Sequence, residues 1–353
     1  MKTVSVIEEL LSRAVSVLNG EDTTARYGVF PGHTWENYAG RAVRYLEALE
    51  RGEAPLAGKF TEPGIALVDH CFVEKDGRMH LFYNRGYIGY EWDTKNVTTI
   101  GHAVTDDLVR WTVERPCLAT DPGELESYGV WSPGVVRKGD TWYMYYTGVN
   151  YNACQAICLA TSRDLYRWER HPASPVVRPG PWGRWSEDCW SDCRDSMAFV
   201  DEDGRAYLYY CSSRYANGER EPVLGVASSD DMVRWRDEGA CPLPGCDFML
   251  ESPFVMKHGG SYYLFYTDTG HGTAYARSDD PVRGWERVGM LLPWTVPPQC
   301  HANVPSCAEV FEFRGQWYIS SCLREPGCEQ YLEIFRMTWE PDGTVRVGER
   351  IGG

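Results

Sequence analysis

The sequence predicts an all-β fold, a five-bladed β-propeller with a short N-terminal helical extension. One observation is a β-hairpin pattern that recurs five times. Its copies lie roughly 55 to 65 residues apart, and a fixed period of that size is typical of propellers, solenoids and arrays. A second pattern, a Ser/Thr-Asp turn followed by Arg and Trp, recurs four times between the hairpins. Four short strands per repeat form a propeller blade, and a closed ring of blades leaves only short, protected edges.

Each predicted hairpin joins a short β-rich run, through a turn rich in Gly, Asp or Lys, to a strand that alternates aromatic and aliphatic residues. Such alternation is typical of half-buried strands. The hairpins begin at Asp69, Ser132, Cys193, Glu251 and Ser306. The third copy, CRDSMAFVDEDGRAYLYY, carries an Arg-Asp pair near its start and a tight acidic turn.

The second pattern predicts the outer strands of the blades. Its copies are HAVTDDLVRW (102–111), CLATSRDLYRW (158–168), GVASSDDMVRW (225–235) and AYARSDDPVRGW (274–285). Each indicates a strand, a turn whose side chains bond their own backbone, and a Trp that begins the next strand. After Cys322 the turn is missing, but EQYLEIFRMTWEPDGTVRV can still supply outer strands for a fifth blade.

Two domains follow from these patterns. Residues 61–353 form the predicted propeller. Residues 1–60 form a predicted helical hairpin, with apolar positions on one face from Val4 to Leu18 and Gly20 as its stop. A second helix begins near Thr34 and ends near Gly52. The hairpin is expected to dock on the propeller or to join two copies in a homo-oligomer.

Composition narrows the function. Lys and Arg number 35 against 50 Asp and Glu, a net charge of −15, so nucleic acid is not an expected partner. The chain contains no apolar run of membrane-spanning length, and residues 1–20 carry charges where a signal peptide has its apolar core. A cytoplasmic protein that does not act at a membrane is expected. The 13 cysteines are scattered without paired zinc-finger spacing, which indicates small buried residues, and no cofactor is expected to be required.

Three acids point to the chemistry. Asp69, Asp195 and Glu251 lie at the heads of repeats one, three and four, where repeats two and five carry Ser132 and Ser306. Inner strands point their first residues into the central funnel, so these acids are expected to converge there. Acids that meet in a cleft raise at least one pKa, so that one carboxyl stays protonated while another is ionised. Cleavage of a glycosidic bond needs such a pair.

The motifs around these acids resemble those of the five-bladed propeller glycosidases. These comprise glycoside hydrolase family 43, with arabinanases, xylosidases and arabinofuranosidases, and families 32 and 68, with invertases and levanases. The motifs are VDHCFV, CRDSMAFVDEDGRAYLYY and LESPFVMKHGGSYYLFYT. The resemblance covers residues 62 to 340, and His70 stands where the family usually has Pro.

The resemblance implies roles for individual residues. Asp69 would be the base or nucleophile, Asp195 the transition-state stabiliser and modulator of the acid's pKa, and Glu251 the general acid. Arg194 resembles the invertase arginine that bonds sugar hydroxyls, although a salt bridge inside the funnel is an equal alternative. Whether the reaction retains or inverts configuration depends on the separation of the carboxyl groups, and both outcomes stay open.

Further residues are candidates for substrate or ion binding. Trp131 and Trp190 are candidate walls of the sugar site, with blade packing as the alternative. His70 and Asp188 are further candidate substrate contacts, the latter at the entrance. His301 resembles the central histidine that helps hold an ion on the propeller axis in the arabinanase group, which implies a structural Ca²⁺; an ordinary loop histidine is the alternative.

The predicted function is hydrolysis of an arabinofuranoside, fructofuranoside or xyloside linkage in small oligosaccharides. Two alternatives stay open. A propeller phosphorylase would need Arg, Lys and His residues around the funnel, for which Arg194, His70 and His301 are the candidates. The other alternative is a carbohydrate-binding propeller without turnover. An Asp69 that turns away from the funnel would favour it.

Overall fold

The computed structural model describes residues 60, 62, 65–87, 97–122, 125–216, 218–243, 249–293, 305–324 and 330–352. Their regular elements are 21 β-strands in five antiparallel sheets. None of these residues forms a helix that is long and apolar enough to cross a membrane. The helical hairpin predicted for residues 1–60 lies, apart from Phe60, outside the described residues.

The strands follow one another blade by blade. In blade 1 they are β1 (Ile65–Lys75), β2 (Arg78–Tyr87), β3 (Thr99–Thr105), β4 (Trp111–Val113) and β5 (Leu118–Ala119). In blade 2 they are β6 (Gly129–Lys138), β7 (Thr141–Val149), β8 (Gln155–Ser162) and β9 (Glu169–Arg170). In blade 3 they are β10 (Cys193–Val200), β11 (Ala206–Ala216), β12 (Glu219–Ser229) and β13 (Arg236–Cys241).

The last two blades have the same organisation. In blade 4 the strands are β14 (Leu250–His258), β15 (Ser261–Asp268), β16 (Gly272–Ser278) and β17 (Glu286–Pro293). In blade 5 they are β18 (Val310–Phe313), β19 (Gln316–Arg324), β20 (Gln330–Trp339) and β21 (Val345–Arg350). In every blade, successive strands pair in chain order from the first strand to the fourth. The predicted five-bladed all-β propeller is confirmed.

The hairpin turns explain why the inner strands reverse where they do. Lys75 pairs with Arg78, and the two residues between them, Asp76 and Gly77, have φ angles of 54° and 75°. Positive φ at both central positions defines the turn that matches the twist of antiparallel strands. The same two-residue turn joins the inner hairpins of blades 4 and 5.

The Ser/Thr-Asp turns form as predicted from their side chains. In blade 3 the Ser229 hydroxyl accepts the backbone N–H groups of Asp231 and Met232, at 3.2 and 2.9 Å. Asp231 in turn accepts the N–H groups of Val233 and Arg234, at 3.0 and 2.8 Å. Met232 takes a φ of 68° and is fully buried, so the turn inserts an apolar side chain between blades.

Five apolar clusters of the described residues fill the interfaces between neighbouring blades, one in each interface. The cluster between blades 5 and 1 includes Phe60, whose backbone exchanges hydrogen bonds of 3.0 and 3.1 Å with Leu332 on β20. The segment that precedes the first blade therefore pairs with the last blade. This pairing closes the ring.

Candidate active site

Four of the five inner strands are interrupted near their start by a β-bulge that aims one side chain at the propeller axis. The register shifts lie at Asp69 in β1, around Ser132 in β6, around Asp195 in β10 and around Ser252 in β14. Cys307 occupies the matching place before β18. Four of these residues, all except Asp69, have φ angles between 48° and 56°. Left-handed backbone at non-glycine residues is strained and tends to occur at functional sites.

The five bulge side chains form a closed ring around the axis, one from each blade. The Ser132 hydroxyl lies 2.7 Å from both Asp69 and Asp195. The backbone N–H of Ser252 lies 3.4 Å from Asp195, and its hydroxyl lies 3.4 Å from the Cys307 sulfur. The Cys307 thiol returns to Asp69 at 2.7 Å. Two of the three predicted acids are therefore neighbours in one hydrogen-bonded ring.

Polar residues on the second strands hold the ring in place. The Ser132 N–H donates to the Asn84 side-chain oxygen at 2.5 Å, and the Asp195 N–H donates to the Thr147 hydroxyl at 3.1 Å. The Cys307 N–H donates to the Thr267 hydroxyl at 2.9 Å. In each contact the strand of one blade satisfies the strained backbone of the next. In the sequence, Asn84, Thr147 and Thr267 each directly follow a pair of aromatic residues, FY, YY and FY. This repeated position could have indicated their role, but sequence reasoning missed it.

Glu251 stands beside the ring, next to a buried arginine. Its carboxylate accepts hydrogen bonds from Arg194 at 2.7 Å and from the Thr269 hydroxyl at 3.1 Å. A Glu251 oxygen also lies within 4.8 Å of an oxygen of Asp195. The Glu251 side chain is 32% exposed, against 7% for Asp195. The three predicted acids thus share one site, in which the Glu251 side chain is more exposed than that of Asp195.

In two of the five repeats, the residue that the sequence predicts at the head of the hairpin precedes the residue of the ring by one position. In the ring, Ser252 rather than Glu251 matches Asp69 and Asp195, and Cys307 rather than Ser306 represents blade 5. Glu251 instead matches Arg194, the residue before a bulge. Successive strand residues point to opposite sides, so this offset separates Glu251 from the ring and brings it to Arg194.

Arg194 is the electrostatic centre of the site. Its guanidinium donates to Asp192 at 2.8 Å and to Glu251 at 2.7 Å, and it lies 3.7 Å from Asp195. Burial alone would lower the pKa of Arg194, but the surrounding acids raise it well above its usual value. Of the two roles that the sequence left open, the salt bridge is present. Asp192, which also binds Arg220 and Ser213, is a site residue that sequence reasoning missed.

The environment of Asp195 favours its protonated form. Burial is the largest cause and the charge of Asp69 is the second, and together they raise the pKa of Asp195 to about 8 although Arg194 opposes them. One carboxyl of a cluster that keeps its proton near neutral pH is the feature expected of converging acids. Asp192 shows the opposite effect, since Arg194 and Ser213 lower its pKa to about 2 despite burial.

The predicted aromatic walls differ in exposure. Trp190 is 52% exposed, its ring lies 5.9 Å from the Arg194 guanidinium, and its indole N–H donates to Asp192 at 2.9 Å. Its contact with a sugar stays a prediction. Trp131 is only 7% exposed and packs with Tyr128 and Val149. Asp188 lies exposed on the loop before β10.

His70 turns toward blade 5. Its ring nitrogens lie 2.7 Å from the Ser320 hydroxyl and 3.2 Å from the Cys322 sulfur, and the residue is 4% exposed. Burial opposes ionisation of the Cys322 thiol, but Cys307 and His70 lower its pKa to about 6. His70 therefore supports the wall of the site behind Asp69.

The predicted axial calcium ion stays a prediction, since its candidate ligand His301 lies outside the described residues. The one cluster of three potential ligands among them is Asp195, Cys211 and Glu251, and the Arg194 cation already binds Glu251 there. A cavity of about 30 Å³ beside the ring has room for a water-sized occupant, and Asp69, Asp195 and Glu309 are among its lining residues. Asp69 oxygens already accept four hydrogen bonds.

The comparison with family models decides the family. The model described as glycosyl hydrolases family 43 matches residues 84–345, most of the chain. The chain belongs to this family. The predicted glycoside hydrolase class and the predicted resemblance are thereby confirmed. Two of the three acids, Asp195 and Glu251, lie inside the matched residues, and Asp69 lies before them.

Individual relatives of this family 43 chain have several activities. It is 27% identical over 258 residues to a 1,2-beta-oligomannan phosphorylase of Thermoanaerobacter sp., covering 64% of this chain and 79% of the relative. It is 22% identical over 322 residues to a xylosidase/arabinosidase of Thermoclostridium stercorarium, covering 76% and 63%. An α-L-arabinofuranosidase structure from Clostridium thermocellum superposes with a TM-score of 0.60 at 23% identity, covering 79% of this chain and 93% of that one, which shows the shared fold.

Proposed function

We propose that this family 43 chain hydrolyses a furanoside or pentoside linkage, an arabinofuranoside, fructofuranoside or xyloside, in small oligosaccharides. The observation that carries the proposal is the convergence of Asp69, Asp195 and Glu251 on one site, where burial and the charge of Asp69 raise the pKa of Asp195 to about 8. Glycoside hydrolysis needs a proton donor for the leaving oxygen and a carboxylate on the other face of the sugar ring.

The roles follow from the positions. Asp69 acts as the base or nucleophile, because hydrogen-bond donors from four residues hold its carboxylate in one orientation. Glu251 acts as the general acid, and its exposed side chain allows it to reach a leaving oxygen. When Glu251 delivers its proton, either its hydrogen bond with Arg194 must break or the substrate must compensate for the positive charge of Arg194. Asp195, between the two, modulates both groups.

A phosphorylase is the second candidate, because a mannan phosphorylase is among the relatives. Two described arginines of the site, Arg194 and Arg220, both bind Asp192. A phosphate there would meet acids as well as cations, and this arrangement favours water over phosphate as the acceptor.

The test is a panel of 4-nitrophenyl α-L-arabinofuranoside, 4-nitrophenyl β-D-xyloside, sucrose, short fructans and β-1,2-mannobiose, each with and without phosphate. We expect a free sugar from one furanoside or pentoside, independent of phosphate. A Glu251→Gln variant should lose the activity, and Asp140→Asn should keep it, because that carboxylate is 91% exposed on a hairpin turn. A sugar phosphate as product would establish the phosphorylase, and sugar binding without turnover on the whole panel would contradict both enzymes.

A further inference from the structure

The Ser132 hydroxyl bridges two carboxyl groups with a single hydrogen. Its oxygen lies 2.7 Å from Asp69 Oδ2 and 2.7 Å from Asp195 Oδ1. Both contacts are buried, since Ser132 is 4% exposed and Asp195 7%. A hydroxyl donates one hydrogen bond, and an ionised carboxylate only accepts. If both acids were ionised, one carboxylate oxygen would face the serine lone pairs at 2.7 Å, which is repulsive. The bridge therefore requires one further proton.

The hydrogen-bond partners indicate which acid carries it. Asp69 accepts from Asn84 at 3.0 Å, from Ser252 at 2.9 Å and from Cys307 at 2.7 Å, besides Ser132. These donors match the lone pairs of an ionised carboxylate. Asp195 has only longer contacts in addition to Ser132: the backbone N–H of Ser252 at 3.4 Å and the Arg194 guanidinium at 3.7 Å. The proton belongs on the acid with fewer donors.

We propose that Asp69 and Asp195 share one proton through Ser132: protonated Asp195 donates to the Ser132 oxygen, and Ser132 donates to ionised Asp69. Ser132 is then a positioning residue of the reaction, which gives the acid pair a single negative charge in the resting enzyme. The inference rests on the proposed function for its meaning in catalysis. The shared proton itself is measurable whether or not a substrate is known.

Other charged and titratable groups around the pair are compatible with this state. They are Arg194, Asp192, Glu251, Glu309, Cys211, Cys307, Cys322 and His70. Burial, the largest cause, and the charges of Asp69 and Glu251 raise the pKa of Asp195, whereas Arg194 and a hydrogen bond donated by Ser132 to the ionised carboxylate lower it; the result is about 8. Asp195 is therefore the acid of the pair that keeps its proton near neutral pH.

Infrared spectroscopy of the free full-length protein in D₂O tests the proposal. A protonated carboxyl band should be present at pH 7 and disappear as the pH rises through about 8. The pKa of Glu309 is also raised by burial, to about 7, so the Asp195 band is isolated as the difference between wild type and Asp195→Asn. Absence of such a difference band at pH 7 would overturn the proposal.

The variant Ser132→Gly tests the bridge itself, since glycine tolerates the φ of 50° at this position. Loss of the acceptor should move the Asp195 midpoint down by about 0.4 to 1 pH unit, the shift expected for loss of a neutral hydrogen bond made by the protonated carboxyl. If Ser132 instead donates to ionised Asp195, the midpoint will rise, and a rise or no shift overturns the proposal.

Ser252→Gly is the matched control. Ser252 also has a left-handed backbone, with a φ of 48°, and its hydroxyl also donates to Asp69, but only its backbone N–H contacts Asp195. The Asp195 midpoint should move by less than half as much as in Ser132→Gly. An equal shift would assign the effect to the general polarity of the ring and overturn the bridge. Absence of turnover in the wild type would contradict the proposed function but leave these spectra decisive.

Discussion

At the scale of single residues, Arg194 holds the charges of the site together. It is buried, and it joins Asp192 on one side to Glu251 on the other at 2.8 and 2.7 Å. Charges taken out of water are tolerated only when they are paired, so each member of this set depends on the others. The same contact fixes the position of the proposed general acid.

Replacement of Arg194 by Gln should therefore be costly. We expect the free energy of unfolding to fall by about 3 to 5 kcal/mol, because buried acids lose their partner. Arg234→Gln is the control, since Arg234 is 89% exposed in its ion pair with Asp231 and should cost at most about 1 kcal/mol. Urea unfolding measures both. Equal losses in the two variants would contradict a central role for Arg194.

The residue scale is where prediction from sequence was least complete. The acids Asp69, Asp195 and Glu251 could be predicted because each lies near the head of a repeated hairpin. The ring of Ser132, Ser252 and Cys307 could not, because a β-bulge has no fixed residue signature and shifts the register by one position. Asp192 was missed for another reason: its partners come together only in the folded blade.

At the scale of elements, the second strands of blades 1, 2 and 4 each hold the strained backbone of the next blade. Thr147 on β7 accepts the N–H of Asp195, and Thr267 on β15 accepts that of Cys307. Both threonines are buried and occupy equivalent places in their blades. They should therefore contribute similarly to stability but differently to catalysis.

Thr147→Val and Thr267→Val test this difference. Each should lower the free energy of unfolding by about 1 to 3 kcal/mol, the cost of a buried N–H left without an acceptor. The specificity constant kcat/KM should fall roughly 10- to 100-fold in Thr147→Val, because Asp195, which modulates the proposed base and the proposed general acid, is displaced, and distinctly less in Thr267→Val. Urea unfolding and steady-state kinetics measure the two effects. The same kinetic loss in both variants would refute the special role of Thr147.

The interface between blades 1 and 2 contains a pH-sensitive pair of strand residues. His80 Nδ1 and His102 Nε2 lie 2.9 Å apart, and both residues are buried. Burial is the main cause that lowers their pKa values from 6.5, to about 4 for His80 and about 3 for His102. Both imidazoles are therefore neutral in the folded protein at neutral pH.

Because these pKa values are lower in the folded than in the unfolded state, the unfolded chain binds more protons below pH 6.5. Stability should be fully present above that pH and should be lost as the pH falls from 6.5 toward 4, by about 1 kcal/mol per pH unit for each imidazole near pH 5. Urea unfolding at a series of pH values measures this slope. A His80→Gln, His102→Gln double variant should show a clearly smaller slope, and an unchanged slope would exclude the pair as its source.

The elements themselves were largely predictable. Alternating aromatic residues indicated the inner hairpins, and the Ser/Thr-Asp pattern indicated the outer turns, because both are local features. The fifth blade forms its outer strands β20 and β21 although it lacks that turn, as the sequence predicted. The pairing of Phe60 with Leu332 was not predictable, since one isolated bridge over a long separation leaves no periodic pattern.

At the scale of the whole molecule, this pairing joins the two ends of the propeller. Phe60 is 4% exposed, and its ring lies 5.3 Å from Tyr83 and 5.2 Å from Trp111, both in blade 1. Its backbone meanwhile pairs with blade 5. One residue thus contributes to the first and the last blade together.

Phe60→Ala should weaken the closure of the ring. We expect a loss of about 3 to 5 kcal/mol in the free energy of unfolding, the range for truncating a buried aromatic residue. Tyr151→Ala, at a site that is 64% exposed, should change it by about 0.5 kcal/mol or less. Thermal or urea unfolding compares the two. A loss below 1 kcal/mol in Phe60→Ala would contradict a closing role.

The central claim is that the converging acids of the funnel cleave a glycosidic bond with Glu251 as proton donor. The most direct test compares kcat/KM of wild type and Glu251→Gln on two substrates with the same sugar, one with a 2,4-dinitrophenyl and one with an alkyl leaving group. We expect a loss of about 10²- to 10⁴-fold for the alkyl substrate, whose leaving oxygen needs protonation, and a much smaller loss for the dinitrophenyl substrate. Equal losses on both substrates, or no loss on either, would contradict it.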